Sequence, residues 1–120
     1  MQLDERSEKR LDGVNEALVS VVRRAARNTT VDFIVTEGLR TKERQAQLVA
    51  KGASRTMNSK HLTGRAVDLA AMIDGEVRWD WPLYHKLAKA MKEAAAECGV
   101  KIVWGGDWRT FKDGPHFELA

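Results

Sequence analysis

Cysteine is almost missing from these 120 residues, with Cys98 standing alone. One thiol excludes an internal disulfide framework and a cysteine-rich zinc finger. It falls late in an amphipathic stretch and reads as a small buried hydrophobe. Long apolar runs are missing too: nothing approaches the roughly 18 residues of a membrane span. The start, Met1-Gln2-Leu3-Asp4-Glu5-Arg6, has no apolar stretch behind its charges, which argues against a secretory signal peptide. The expectation is a protein made and folded in the cytoplasm without stable membrane association. An external substrate would then require a separate carrier. Nor does one sign of charge dominate, since 20 Lys and Arg face 17 Asp and Glu for a net charge of +3. That mild excess favours an acidic polymer, cell wall or nucleic acid. The basic residues are scattered, however, and no nucleic-acid-binding motif accompanies them, so no nucleic-acid partner is expected.

What is present is a globular balance, 43% hydrophobic and 31% charged, in a chain long enough for one core and not two. Residues 1–120 are read as one domain, and nothing points beyond a monomer. Leu11, Val14, Leu18, Val21 and Ala25 step by three and four, which predicts a first helix over roughly 5–27 capped by Ser7 or Asp4. The β-branched run Val31–Val35 reads as a strand. Thr41 caps a second helix through Val49, with Gly52 at its C′ position. Residues 53–64 form a loop. Ala66–Met72 and Glu76–Trp79 are two strands joined at Asp74-Gly75, a strong hairpin signal. Asp80 and Pro82 open a third helix carrying the stripe Leu83, Leu87, Met91 and Ala94, and Gly99 closes it. Lys101–Trp104 and His116–Leu119 are two further strands. The sum is α+β: a small, largely antiparallel sheet packed with about three helices.

Two motifs carry the chemistry. Ser59-Lys60-His61-Leu62-Thr63-Gly64-Arg65-Ala66-Val67-Asp68 and Asp113-Gly114-Pro115-His116 together supply two imidazoles and a carboxylate, a nitrogen/oxygen set suited to zinc. Three protein ligands leave a fourth tetrahedral position open, the mark of a catalytic site. Asp113, three residues before a ligand, could take a proton from water there. Strand alternation supports the grouping: Val67 and Leu69 share one face with Asp68 on the other, and Phe117 and Leu119 oppose His116 and Glu118. Singly, each residue has an ordinary reading, as a surface histidine, a carboxylate satisfied by backbone amides or a turn. Jointly those readings weaken, because two of only three histidines have the right companions. His85 lies about 200° from Leu83 at roughly 100° per residue, off the apolar stripe, and is given no role. Gly64 permits a close turn. The four tryptophans are read chiefly as core, with a sugar-stacking surface as the alternative and Trp108 as the best candidate to line a cleft.

The spacing Ser-x-His-x-x-Gly-x-Ala-x-Asp, followed by Asp-x-x-His, resembles the D-Ala-D-Ala-type zinc metallopeptidases. That group includes DD-carboxypeptidases, vancomycin-resistance dipeptidases and phage endolysins, and shares the hedgehog fold. Glu37-Gly38-Leu39-Arg40-Thr41 is similar to the family's Gly-aromatic-Arg segment, with Leu39 in the aromatic's place. The run from Trp104 to Leu119, with Asp rather than Glu at position 113, resembles the end of phage L-alanyl-D-glutamate endopeptidases.

The resemblance covers roughly residues 30–120. It implies a peptidoglycan-cleaving endolysin that accumulates in the host cytoplasm until a holin opens the membrane, and the lack of a wall-binding domain fits a thin Gram-negative wall. It implies zinc on His61, Asp68 and His116, lowering the pKa of water to roughly 7, with Asp113 accepting the proton and passing it to the leaving amine. Arg40 either stabilises the oxyanion or makes a structural salt bridge. Ser59 either binds a substrate carboxylate or fixes the loop carrying His61. Glu118 would hydrogen-bond a ligand histidine. Two alternatives stand beside this reading: a D-Ala-D-Ala carboxypeptidase or dipeptidase on the same site, and a non-catalytic zinc-stabilised binding module of hedgehog-like fold.

Overall fold

The chain opens with two short helices where the periodicity predicts one. In a computed structural model describing residues 1–120, α1 spans Glu5–Arg10 and α2 spans Glu16–Asn28. The apolar positions of the expected helix are all buried, so its inward face is right and its continuity is wrong. Local chemistry breaks it. Gly13 takes a left-handed φ of +80°, and Asn15 restarts the helix by accepting from the Ala17 amide at 2.9 Å. Asp4, not Ser7, caps α1, accepting from the Ser7 amide at 2.8 Å. Ser7 is buried, and its hydroxyl accepts from the Val35 amide at 2.9 Å, tying α1 to the sheet.

The break has a use. A side chain at Gly38 would collide with the Arg10 carbonyl, and one at Gly64 with the Gly13 carbonyl. The α1–α2 corner therefore packs against both glycines that flank the site in space. Gly64 sits at φ +69°, and its carbonyl accepts from the Asn15 amide at 2.8 Å.

The sheet is antiparallel. Strands β1 (Asp32–Glu37), β2 (Ala66–Ile73), β3 (Glu76–Arg78), β4 (Ile102–Trp104) and β5 (His116–Leu119) run in the order β1-β2-β5-β4, with β3 also paired to β2. Asp74 and Gly75 both take positive φ, +52° and +80°, the backbone a two-residue type I′ hairpin requires. Helix α3 (Lys42–Ala50) is capped by Thr41, whose hydroxyl accepts from the Arg44 amide at 3.1 Å. Helix α4 (Trp81–Cys98) begins with Pro82 in its first turn and ends at left-handed Gly99. The structure thus has four helices rather than three.

Phe33, Val35, Val67, Leu69 and Phe117 from the strands join Leu18, Val21, Val22, Leu87, Met91 and Ala94 from α2 and α4 in one buried cluster. The opposite face of the same strands is left for polar groups. There a register shift between Val35 and Glu37 places Glu37 opposite Asp68, and Asp68 is itself paired with His116. Glu37, Asp68 and His116 form one row across three strands. No helix is long and apolar enough to cross a membrane.

Of the tryptophans, only Trp104 is core. Trp79 and Trp81 are 62% and 46% exposed, which corrects the core assignment for both. The buried aromatic of α4 is Tyr84, and Trp79 stacks on it from outside, ring centroids 6.0 Å apart.

Candidate active site

His61, Asp68 and His116 converge, each offering a ligand atom within 4.8 Å of the others. A short 3-10 turn, Lys60–Thr63, delivers His61. Ser59 caps that turn, its hydroxyl accepting from the His61 amide at 3.2 Å. Asp68 and His116 come from paired strands, so their spacing is set by sheet geometry.

Hydrogen bonds fix each ring. The Gly38 carbonyl, 2.8 Å from His61 Nδ1, can only accept, so Nδ1 carries the proton and Nε2 faces Asp68 Oδ1 at 3.2 Å. Glu118 Oε1 lies 2.8 Å from His116 Nε2, so that nitrogen donates and Nδ1 faces the same Asp68 oxygen at 3.1 Å. With neutral rings, two imidazole lone pairs and a carboxylate oxygen meet with no proton among them. Such a set needs positive charge at its centre, from extra protons or a metal cation. The donors are those zinc accepts, and bonds of about 2.0–2.1 Å place two tetrahedral ligand atoms roughly 3.3 Å apart, close to the 3.2 and 3.1 Å from the Asp68 oxygen to the two rings. The residues fit zinc.

The charged surroundings are ordered. Burial alone would raise the Asp68 carboxyl; where the extra protons sit on the two rings, hydrogen bonds from His116 and His61 override it and hold it well below the usual carboxylate range. Burial would lower His116, yet the Asp68 carboxylate beside it drives it up. Glu118 is held down, against burial, by His116 and by Lys60, whose Nζ lies 3.0 Å from Oε2. Asp113 is pushed up by burial and then by the charge of Asp68.

Arg40 is 9% exposed and displays the salt-bridge reading. Its Nε and Nη2 each donate to Glu37 at 2.8 Å, and Nη1 donates to Gln45 at 2.7 Å. Nη2 also lies 3.6 Å from Asp68 Oδ2. The guanidinium is therefore a strut between Glu37 and the Asp68 carboxylate, and it holds Glu37 ionised against burial.

A cleft of about 430 Å³ opens on this group, and Arg40, Ser59, Trp108, Asp113 and Glu118 all line it with His61, Asp68 and His116. Trp108 forms one wall, its ring 5.1 Å from that of His116. Asp113 is seated by backbone bonds: its amide donates to the Gly105 carbonyl at 3.0 Å, and its carbonyl accepts from the His116 amide at 3.2 Å. Gly105 is obligatory there, since a Cβ would run into the Asp113 carbonyl. All eight sequence-expected site residues are brought together. His85 stays outside, packed on the edge of Trp104 at 5.1 Å.

Sequence reasoning assigned no role to Glu37, Gln45 or Lys60. Gln45 carried no signal in the chain; only the fold shows it as the one buried residue of α3, where a wholly buried amide needs partners. Lys60 carried none beyond its place beside His61.

A family model for phage L-alanyl-D-glutamate peptidase matches residues 1–120. The L-alanyl-D-glutamate peptidase of Escherichia phage T5 is 36% identical over 129 aligned positions, spanning 95% of this chain and 94% of the relative. The crystal structure of the Serratia marcescens L-Ala D-Glu endopeptidase ChiX superposes with a TM-score of 0.94 at 49% identity, covering 100% of this chain and 90% of that one. The vancomycin-resistance D,D-pentapeptidase VanY, crystallised in complex with Zn(II), shares the fold, with a TM-score of 0.60, 20% identity, and 88% and 72% of the two chains covered.

Proposed function

The chain belongs to the phage L-alanyl-D-glutamate peptidase family and is a hydrolase of that kind; we propose that it cuts the L-Ala-D-Glu amide of peptidoglycan stems with zinc held by His61, Asp68 and His116. The observation that carries this reading is the meeting of three acceptor atoms in a cleft that Asp113 also lines. Zinc bound there would polarise the scissile carbonyl and lower the pKa of water to roughly 7.

The protein's own groups do the rest. Asp113 orients the attacking water, accepts its proton on a carboxylate oxygen and returns it to the departing glutamyl nitrogen. Its backbone bonds to Gly105 and His116 keep that carboxylate registered to the ligand strand. Glu118 and the Gly38 carbonyl hold the two rings in the tautomers that leave one nitrogen free each. Arg40 ties Glu37 to the Asp68 carboxylate and lines the cleft in which an oxyanion would form. Ser59 positions His61, and Trp108 walls off water from one side.

Cutting the stem beside the glycan would weaken the wall and lyse the host. The wall lies beyond the cytoplasmic membrane, so release through a separate membrane-opening holin completes the proposal.

The test is digestion of purified Gram-negative peptidoglycan, with and without chelator and zinc add-back, with products read by mass spectrometry. New N-terminal D-glutamate, lost with chelator and restored by zinc, is expected. Release of D-alanine or D-Ala-D-Ala would keep the site and change the enzyme to a D-Ala-D-Ala carboxypeptidase or dipeptidase. No cleavage with zinc bound would leave a binding module.

A further inference from the structure

The cleft has two rims. One is the segment 53–59, from which Ser54, Thr56 and Ser59 line it; the other supplies Trp108 and Asp113. A cation–π contact joins the two flanking segments. The guanidinium carbon of Arg55 lies 3.5 Å from the centroid of the Phe111 ring, and both residues are exposed.

Three features set this pair apart. Arg40 and Lys60, the cations lining the cleft, are committed to Glu37, Asp68 and Glu118, whereas Arg55 has no carboxylate partner. Phe111 sits at φ +53°, left-handed backbone that a bulky side chain takes only at a cost. Gln45, wholly buried, grips the residues on either side of Arg55: its Nε2 donates to Ser54 Oγ at 2.8 Å and to the Thr56 carbonyl. The backbone on either side of Arg55 is anchored, and its guanidinium rests on the Phe111 ring.

We infer that Arg55 is a specificity residue, which leaves Phe111 to bind the free carboxylate of the substrate's glutamyl residue. This rests on the peptidase reading above. A glutamate acylated on its nitrogen carries two carboxyl groups, and onward peptide linkage uses at most one. The other remains an anion on the leaving side of the scissile bond. An exposed cation–π contact is weak and is offset by the strain at Phe111, so the parked state yields easily. A guanidinium–carboxylate fork is stronger and directional. Phe111 thus holds Arg55 beside cleft-lining Ser54 and Thr56, uncommitted to any protein carboxylate, until an acidic stem peptide arrives.

The test compares wild type, R55A, R55K and F111A on disaccharide-stem muropeptides prepared with that glutamyl carboxylate free or as the carboxamide. With the free carboxylate, R55A raises KM about tenfold with kcat retained, and R55K recovers part of the loss. With the carboxamide, R55A and wild type agree within about twofold. F111A, which removes the competing ring, lowers KM on the free acid by up to about fivefold. Equal losses for R55A on both substrates, no loss on either, or an F111A defect matching that of R55A would overturn the inference and make the pair a structural clasp. A wild-type enzyme inert on both muropeptides would overturn the peptidase assignment itself, and this inference with it.

Discussion

Lys60 and Glu118 form an ion pair, Nζ to Oε2 at 3.0 Å, while the other Glu118 oxygen takes the His116 ring proton at 2.8 Å. Lys60 also donates to the Leu119 carbonyl at 2.6 Å, so the carboxylate is pinned before it pins the histidine. Removing such a support typically costs 10–100-fold in metal affinity. Glu118→Ala is expected to weaken zinc binding within that range, and Glu118→Gln, which keeps an acceptor oxygen, less. Competition with a chromophoric chelator measures both. Zinc affinity unchanged in Glu118→Ala would show that His116 needs no orienting partner.

Asp113 is the complementary case, because it lines the cleft without joining the three converging ligand atoms. Asp113→Asn keeps the shape and removes the base. Turnover should fall by about 10²–10⁴-fold, with zinc stoichiometry and affinity unchanged. Turnover near wild type at saturating substrate would move the proton-transfer role elsewhere.

The convergence of Asp68 and His116 was legible because strand alternation puts both on the polar face, and the structure pairs them directly. What lay hidden depends on registers that no local pattern encodes. The shift after Val35 brings Glu37 opposite Asp68, and only then does Arg40 have two carboxylates to bridge. The oxyanion and salt-bridge readings of Arg40 therefore could not be separated along the chain. The first helix failed for a different reason: the inward stripe from Leu11 to Ala25 continues across a corner, so periodicity survives where the backbone bonds do not. Trp79 and Trp81 misled because a tryptophan's size favours burial, while Tyr84 occupies the interior place next to them.

That strut makes a stability prediction. The Arg40 side chain is 7% exposed and joins Glu37 and Asp68. Breaking a buried pair by removing one partner costs about 3–5 kcal/mol, because the other charge is left uncompensated. Arg40→Met should lose that much in urea unfolding of the metal-free protein, and a second change, Glu37→Gln, should recover part of it. A loss under about 1 kcal/mol would mean that solvent reaches Glu37 freely.

Tyr84 predicts a pH dependence remote from the cleft. Its hydroxyl donates to the Arg78 carbonyl at 2.7 Å and accepts from the Ala71 amide at 3.1 Å, tying the start of α4 to β2. Burial raises the phenol above its ordinary value, the Ala71 amide opposes that, and the Asp80 charge adds to it. A group whose folded pKa is raised contributes stability that is complete below its unfolded pKa, about 10 for tyrosine, and is lost as pH climbs through the folded value. Tyr84→Phe removes both bonds and should cost about 1–3 kcal/mol at pH 7, since buried partners are left unsatisfied. Above pH 10 the wild type should lose its advantage and the two stabilities converge, while titrating lysines affect both proteins alike. Urea unfolding of the pair from pH 7 to 11 measures the difference directly. A constant gap across that range would show that the Tyr84 hydroxyl ionises as easily in the folded protein as in the unfolded chain.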